Sequence, residues 1–440
     1  MPTTTIRHRR RWAALAVLLT AEAMNLLDAT IVQVAGPVIH ADLPGPAADV
    51  PWFSAAYTLP FAAFLITGGR LGDVFGRARV FKLGVAGFVL ASLVCAIAPN
   101  AGLLIGARAV QGAAAALIIP QTIGLIRALF DGGELAKALG TIGPVMGLSA
   151  VTGPLLGGLL TQAVSWRAVF LVNVPLGLAV LLAARLLRED RAATRPRLDV
   201  TGTLLVAAGA GLFVYPLIDP AGTNWGLLAA GAAVLVVFGF HQRRVAAPLV
   251  EPSLFAHRGF PAALAGSLLF FAVMTGLMQV VPMQLQLGLG VDVRTAGLTL
   301  MPLSAGLAVS SYFAGARLVP KFGARVMFAG LALLTAGLLA ALALGAGAYP
   351  WVLALCGLGM GAFTVPFFTA ALDRVRPHET GSAAGLLNAV QQLGGTLGVA
   401  LLGGLYLGTG TAAAALGLGA ALAVAAAIAV VPLAGGRAAR

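Results

Sequence analysis

Three ionisable side chains stand where charge is costly. Glu22, Asp28 and Arg108 each fall inside an apolar run long enough to cross a lipid bilayer. A carboxylate and a guanidinium at similar depth can pair, and a carboxyl whose solvation changes can take up and release a proton. Counted from the outer ends of their helices at about 1.5 Å per residue, Asp28 lies about 13 Å deep and Arg108 about 10 Å, so the two can meet. At about 100° per residue, Glu22 points about 120° away from Asp28 but within about 20° of Gln33, with Asn25 about 60° from each. The spacing predicts a proton-coupling pair, Asp28 adjusted by Arg108, beside a helix stripe of Glu22, Asn25 and Gln33 that faces substrate. Glu22 is the second candidate for the proton, and Gln111, three residues after Arg108, joins the binding set. The bland alternatives are a static ion pair between the first and fourth spans and a structural hydrogen bond at Glu22.

The elements that must hold these residues are membrane helices. The chain has 440 residues, 59% hydrophobic and 10% charged, with a mean hydropathy of +0.95, far from the roughly 25% charged residues of soluble domains. Apolar segments recur at about 12–37, 50–70, 79–97, 101–129, 134–163, 167–187, 198–218, 224–241, 260–288, 294–316, 324–346, 350–372, 380–408 and 410–433, which predicts an all-α membrane protein of about fourteen spans. The net charge of +13 does not point to nucleic acid, because the bases cluster between spans. With a cytoplasmic N-terminus, about 25 of the 28 Lys and Arg fall on the cytoplasmic side, Arg167 and Arg294 lie outside, and Arg108 is within a span. A multi-pass plasma-membrane protein with both termini cytoplasmic is expected. The opening "RHRRRW" resembles a signal-peptide start, but the run after it is too long and has no small-residue cleavage site, so it reads as a retained helix. Cys95 and Cys356 each lie within a span and are expected to stay free. No GxGxxG or P-loop pattern is present to hold a nucleotide.

The chain repeats itself. "GGRLGDVFGRARV" (68–80) and "GARLVPKFGARVM" (315–327) align at an offset of 247, and at that offset Gly112 meets Gly359, Gly147 meets Gly394 and Gly157 meets Gly404. Two halves of six spans, residues 1–190 and 259–440, are therefore expected around an inserted pair of spans within 191–258. The inserted pair is expected to lie outside the core contacts of the halves. Asp28 corresponds to Thr275 and Arg108 to Leu355, so the second half has no intramembrane charge. Its side of a cavity is expected to bind by shape and softness, through Phe271, Met274, Thr275, Met278 and Gln279, with Phe363, Phe367, Asn388 and Gln392 opposite.

Four motifs give the chain a family likeness. "GGRLGDVFGRARV" carries Gly69, Asp73, Gly76 and Arg77 at the positions of a Gly-x-x-x-Asp-x-x-Gly-Arg signature. "LLDATIVQVAGPVI" (26–39), "RAVQGAAAALIIP" (108–120) and "GPVMGLSAVTGPLLGGLL" (143–160) follow in order. The sequence resembles the major facilitator superfamily and, within it, the 14-helix drug:proton antiporters. It departs from that family's pattern at Gln33, Gly36 and the additional acid Glu22.

The small residues Gly69, Gly72 and Gly76 would let span 2 approach a neighbour while Asp73 faces that neighbour's positive N-terminus. The resemblance implies that the neighbour is span 13, starting near Thr380, and that Arg77 and Arg79 steer inner-gate charges such as Asp131. Gly143, Pro144, Gly147, Gly153, Pro154 and Gly157 in span 5 read as a hinge, with plain close packing as the alternative. The resemblance implies a proton-coupled antiporter of amphipathic, often cationic, small molecules such as drugs or antibiotics, working as a monomer by alternating access. It implies no enzyme activity and no cofactor, the proton gradient supplying the energy. A transporter of an endogenous metabolite or lipid, including a self-resistance exporter, is the alternative. A membrane sensor or structural subunit would need neither Asp28 nor Arg108 nor the duplicated halves.

Overall fold

In lipid every backbone N–H and C=O must be satisfied within the segment, and an apolar chain meets that demand as helices. The computed structural model describes residues 2–191, 197–218, 224–256, 259–373, 375–376 and 379–434, and no strand occurs among them. The helices are α1 (Pro2–Asp42), α2 (Asp49–Phe75), α3 (Arg77–Ala96), α4 (Ala101–Leu129), α5 (Gly132–Gly140), α6 (Ile142–Ala163), α7 (Trp166–Leu171), α8 (Asn173–Ala183), α9 (Val200–Ile218) and α10 (Trp225–Arg244). Then follow α11 (Gly259–Met283), α12 (Val293–Phe313), α13 (Val319–Phe322), α14 (Arg325–Leu344), α15 (Tyr349–Leu372), α16 (Thr380–Thr409), α17 (Ala412–Ala429) and α18 (Val431–Ala434). Among the described residues, fourteen helical stretches are long and apolar enough to cross a membrane, α5 joining α6 and α7 joining α8 to make single stretches.

Helix ends follow the sequence. Asn100, Asn224 and Asp292 accept backbone N–H bonds from Leu103, Leu227 and Thr295 and so cap α4, α10 and α12. The Asp292 carboxyl, held by the side chain and backbone of Thr295, lies below the usual carboxylate range. Between α2 and α3 the chain turns on Gly76 at φ 104°, a conformation a side chain resists, and a Cβ there would also run into the Glu189 carboxylate.

Glycine sets the closest helix pairs, and the pairs recur. Gly112 of α4 leaves room for the Tyr57 carbonyl of α2, as Gly357 of α15 does for the Leu303 carbonyl of α12. Gly153 and Gly157 of α6 meet Thr30 and Ile31 of α1, as Gly394 and Gly398 of α16 meet Leu268 and Ala272 of α11. Each set buries an apolar core, one reaching from Ala14 to Leu187 and taking in Ala389 of α16, the other from Ala263 to Leu433 and taking in Val34 and Val50 of the first set. The two sets meet along α2 with α16 and α6 with α12.

α9 and α10 form a hairpin closed by Gly209 against Leu235 and Gly231 against Phe213. The pair does not stand apart from the core, as the sequence suggested. Val214 and Ile218 of α9 are buried with Ala55 of α2 and with Val399 and Ala400 of α16. At the other end Thr67 and Thr203 share a 2.7 Å hydrogen bond, and Arg70 donates to the carbonyls of Arg197, Ala247 and Pro248. One arginine thus holds both linkers of the hairpin. Burial pushes the nearby Asp199 carboxyl up, but hydrogen bonds from His241, the Gly202 N–H and Gln242 outweigh it and leave the group below the usual range.

Candidate transport site

Five elements converge on Asp28. The carboxylate is fully buried in α1; Arg108 Nη1 of α4 donates to its Oδ2, and Gln111 Nε2 and Asn173 Nδ2 donate to its Oδ1 at 2.9 and 2.7 Å. Ser92 of α3 accepts from the same two amides, and Arg108 Nε donates to the Phe53 carbonyl of α2 at 2.9 Å. The guanidinium lies 4.4 Å from the Tyr57 ring centre, a cation–π contact that helps a charge tolerate burial. Asn173 reaches this point because it opens α8, where Pro175 in the first turn takes the place of an orphan N–H. The three side chains that bond the Asp28 carboxylate all do so as N–H donors, and one of them is a cation.

Arg108 lies between Asp28 and open space. A cavity of about 160 Å³ runs between the two halves, and Arg108 lines it while Asp28 does not. One wall is the α1 stripe of Glu22, Asn25, Thr30 and Gln33 with Tyr57 and Thr58 of α2. The other is the α11 stripe of Phe271, Met274, Thr275 and Met278, and α16 adds Asn388, Gln391 and Gln392. The α11 stripe brings soft side chains and the α16 stripe amides, so polar groups face the cavity from both halves. A second cavity of about 440 Å³ shares Leu65, Ile119 and Asn388 with the first, and extends to Arg70, Asp73, Arg77 and Arg127 at the end of the bundle rich in bases.

The opposite end is shut. Ser54 donates to Gln279 Oε1 at 3.2 Å, Thr396 donates to Thr58 at 2.7 Å, and Gln286 donates to the Val34 carbonyl at 2.9 Å. A Cβ on Gly297 of α12 would stand 2.5 Å from the Pro154 carbonyl of α6. At the basic end α2 and α16 diverge, so that Asp73 faces Gly381, Ser382 and Gly385 across the second cavity.

The sequence matches the Major Facilitator Superfamily over residues 18–399. The chain belongs to that superfamily. It is 43% identical over 423 residues to the probable actinorhodin transporter of Streptomyces coelicolor, covering 91% of this chain and 73% of that protein. It is 40% identical over 413 residues to the puromycin resistance protein pur8 of Streptomyces alboniger, covering 89% and 81%. It is 33% identical over 392 residues to the multidrug resistance protein Stp of Mycobacterium tuberculosis, covering 86% and 73%. The crystal structure of a D-xylose-proton symporter shares the fold, with a TM-score of 0.68 at 14% identity over 96% of this chain and 97% of that one.

In this facilitator the predicted residues divide by place. Glu22, Asn25, Gln33, Phe271, Met274, Thr275, Met278, Asn388 and Gln392 line the cavity together. Gln111 does not; it is drawn into the Asp28 network by its two amide bonds. Gln279 is fully buried in the closed end, held to Ser54 and the Met283 sulfur. Phe363 and Phe367 are buried in the second-half core, their rings stacked 4.8 Å apart, because their side of α15 faces α11.

The basic-end expectations change as well. Gly69 and Gly72 face Pro120 and Gln121 of α4, within the same half, and not span 13. Asp73 accepts two hydrogen bonds from Arg77, at 2.8 and 3.1 Å, and not from the start of α16. Arg77 also pairs with Asp190 at 2.7 Å and Arg79 with Glu189 at 3.6 Å, whereas Asp131 is exposed ahead of α5. The Ala78 N–H donates to Glu189, which places a carboxylate at the positive N-terminus of α3. Of the span-5 residues, Gly147 faces Ala308 of α12 while Gly153 and Gly157 pack on α1; the surroundings of Gly143 and Pro144 lie outside the described side chains. Sequence reasoning missed Asn173, Ser92, Tyr57, Glu189 and Asp190. A polar residue of ordinary type in a span, or an acid in a linker, gives no signal by itself.

Proposed function

We propose that this facilitator is a proton-coupled exporter of amphipathic small molecules of the antibiotic or drug type, resident in the plasma membrane as a monomer. The observation that carries the reading is Arg108, which binds the buried Asp28 on one side and lines the central cavity on the other. A ligand that engages the guanidinium from the cavity competes for the partner of Asp28, so occupancy of one site alters the affinity of the other. The relatives named for actinorhodin transport, puromycin resistance and multidrug resistance support the substrate type.

The positive-inside bias assigns the basic end to the cytoplasm, so the conformation described is open inward. An exporter loads its substrate in that form. Substrate enters past Arg70 and Arg127, settles between the α1 and α11 stripes, and leaves when α2 and α16 close inward and part outward. In the outward form Asp28 takes up a proton, which it releases once the protein faces inward again.

Purified protein in proteoliposomes without ATP tests this. An imposed pH gradient should drive a drug substrate uphill, an uncoupler should stop it, and Asp28→Asn should abolish accumulation while leaving downhill exchange. Uphill transport by Asp28→Asn at the wild-type rate would overturn the assignment and make Glu22 the next candidate.

A further inference from the structure

The two copies of the repeated loop differ in what neutralises their bases. In the first copy the protein supplies the partners: Arg77 pairs with Asp73 and Asp190, Arg79 pairs with Glu189, and Arg70 donates to three backbone carbonyls. At the offset of 247, Asp73, Glu189 and Asp190 correspond to Pro320, Gly436 and Arg437, so the second copy has none of these acids. It keeps three bases, Arg317, Lys321 and Arg325, in a stretch where no Asp or Glu occurs between Asp292 and Asp373. All three are exposed, and among the described residues no carboxylate, that of Asp373 included, pairs with any of them.

These bases stand at the edge of the bilayer. α12 starts at the closed end, where Gly297 meets α6, so its last turn lies at the basic end. There Tyr312 and Phe313 are 71% and 41% exposed, and Phe322, the last residue of α13, is 55% exposed. Arg317 lies over Phe313, its Cζ 5.6 Å from the ring centre. Aromatic rings at the end of a span sit at the headgroup level of a membrane, and long basic side chains beside them lay their stems on apolar surface and hold their charges among the headgroups. The patch thus combines three uncompensated positive charges with rings that fix its depth. A leaflet of neutral lipid would leave the charges unanswered, and an acidic protein segment would have to approach rings that the bilayer already covers.

We infer that the loop from α12 to α14 is a docking surface for anionic phospholipid, whose headgroup phosphates take the place that the carboxylates of Asp73, Glu189 and Asp190 hold in the first half. The chemistry recognised is a phosphodiester anion anchored at the membrane surface. It is attracted within a Debye length and held at close range by Arg317, Lys321 and Arg325. The two halves are therefore secured differently at the basic end, one by its own acids and the other by lipid.

The test uses the purified full-length protein in detergent micelles that contain equal amounts of phosphatidylglycerol and phosphatidylcholine, and counts the lipids retained on it by native mass spectrometry. The wild type should retain phosphatidylglycerol over phosphatidylcholine by at least about threefold. Arg317→Gln, Lys321→Gln and Arg325→Gln combined should lower that ratio by at least about half. Pro320→Asp, which keeps every base and restores the acid of the first half, should also lower it, so the result does not depend on whether the triple variant folds. Inorganic phosphate at the concentration of the lipid should displace none of it, because a free ion lacks the acyl chains that hold the headgroup at this depth. Four results would overturn the proposal: equal retention of the two lipids by the wild type, an unchanged ratio in Pro320→Asp, displacement by inorganic phosphate, or an equal fall when Arg243→Gln and Arg244→Gln remove two exposed bases of α10 instead.

Discussion

The Asp28 carboxylate draws donors from two other helices, and each donor answers a different question about it. Arg108 supplies charge, while Gln111 and Asn173 supply neutral hydrogen bonds that fix where the carboxylate points. Asn173→Ala should therefore lower the uphill accumulation ratio in proteoliposomes without abolishing it, since a hydrogen bond to a charged group is worth about 1.5–3 kcal/mol and two donors remain. Combined with Asp28→Asn it should add nothing, because the two positions act as one unit. Additive losses would show that Asn173 works elsewhere. Asp28 and Arg108 were legible in the sequence because charge in a lipid span is rare enough to be informative by itself. Asn173 and Ser92 were not, as their role depends on which way α8 and α3 are turned, and hydropathy does not encode that rotation. Phe363 and Phe367 show the same limit from the other side: their type suited a cavity wall, but the face of α15 that carries them is turned to the core.

At the scale of elements, the glycine repeat at an offset of 247 did not say which helices pair: Gly112 faces Tyr57 of α2 while Gly359 faces Leu334 of α14, although the α2–α4 contact at Gly112 does recur as an α12–α15 contact at Gly357. Gly112→Val should test the contact directly. Its side chain would press on the Tyr57 carbonyl, and overpacking of a close interface typically costs about 1–3 kcal/mol, so the thermal midpoint in detergent should fall. Gly106→Ala, on the same helix with nothing within 4 Å of the added carbon, should leave it unchanged. The inserted hairpin was harder to read. Its length and apolarity predicted two spans, but its docking rests on Arg70 holding backbone carbonyls and on small apolar residues of α9 fitting the seam of α2 and α16. Backbone acceptors are invisible in a sequence, since every residue has one. Excision of α9 and α10 should accordingly lower stability and not merely shorten the chain, as it uncovers Ala55, Val399 and Ala400, all now fully buried. Arg70→Ala should do so to a smaller extent, read as faster proteolysis of the linkers flanking the hairpin. A hairpin-deleted protein as stable as the parent would show that α9 merely rests on the seam.

The whole molecule is asymmetric end to end, and that asymmetry is what a transporter must reverse. Its end away from the bases is held by side-chain hydrogen bonds between Ser54 and Gln279 and between Thr58 and Thr396, and by close approach of α6 and α12, all contacts between halves. Its basic end carries charge pairs within one half, where Arg77 binds both Asp73 and Asp190 beside the open cavity. Individually weak neutral bonds suit a gate that must open in each cycle. The α2–α16 seam allows the gate to be locked by design. A Cβ on Gly403 would lie 3.4 Å from the Pro51 Cβ, close to the roughly 3.5–4.5 Å of a disulfide. The native thiols Cys95 and Cys356 are both buried, so they should not compete for oxidant. Pro51→Cys combined with Gly403→Cys should therefore cross-link on mild oxidation. If this end must part for release, the oxidised protein should lose transport, retain binding of ligand offered from the basic end, and recover activity on reduction. Undiminished transport with the cross-link in place would mean that α2 and α16 stay together throughout the cycle, and that substrate leaves by another seam.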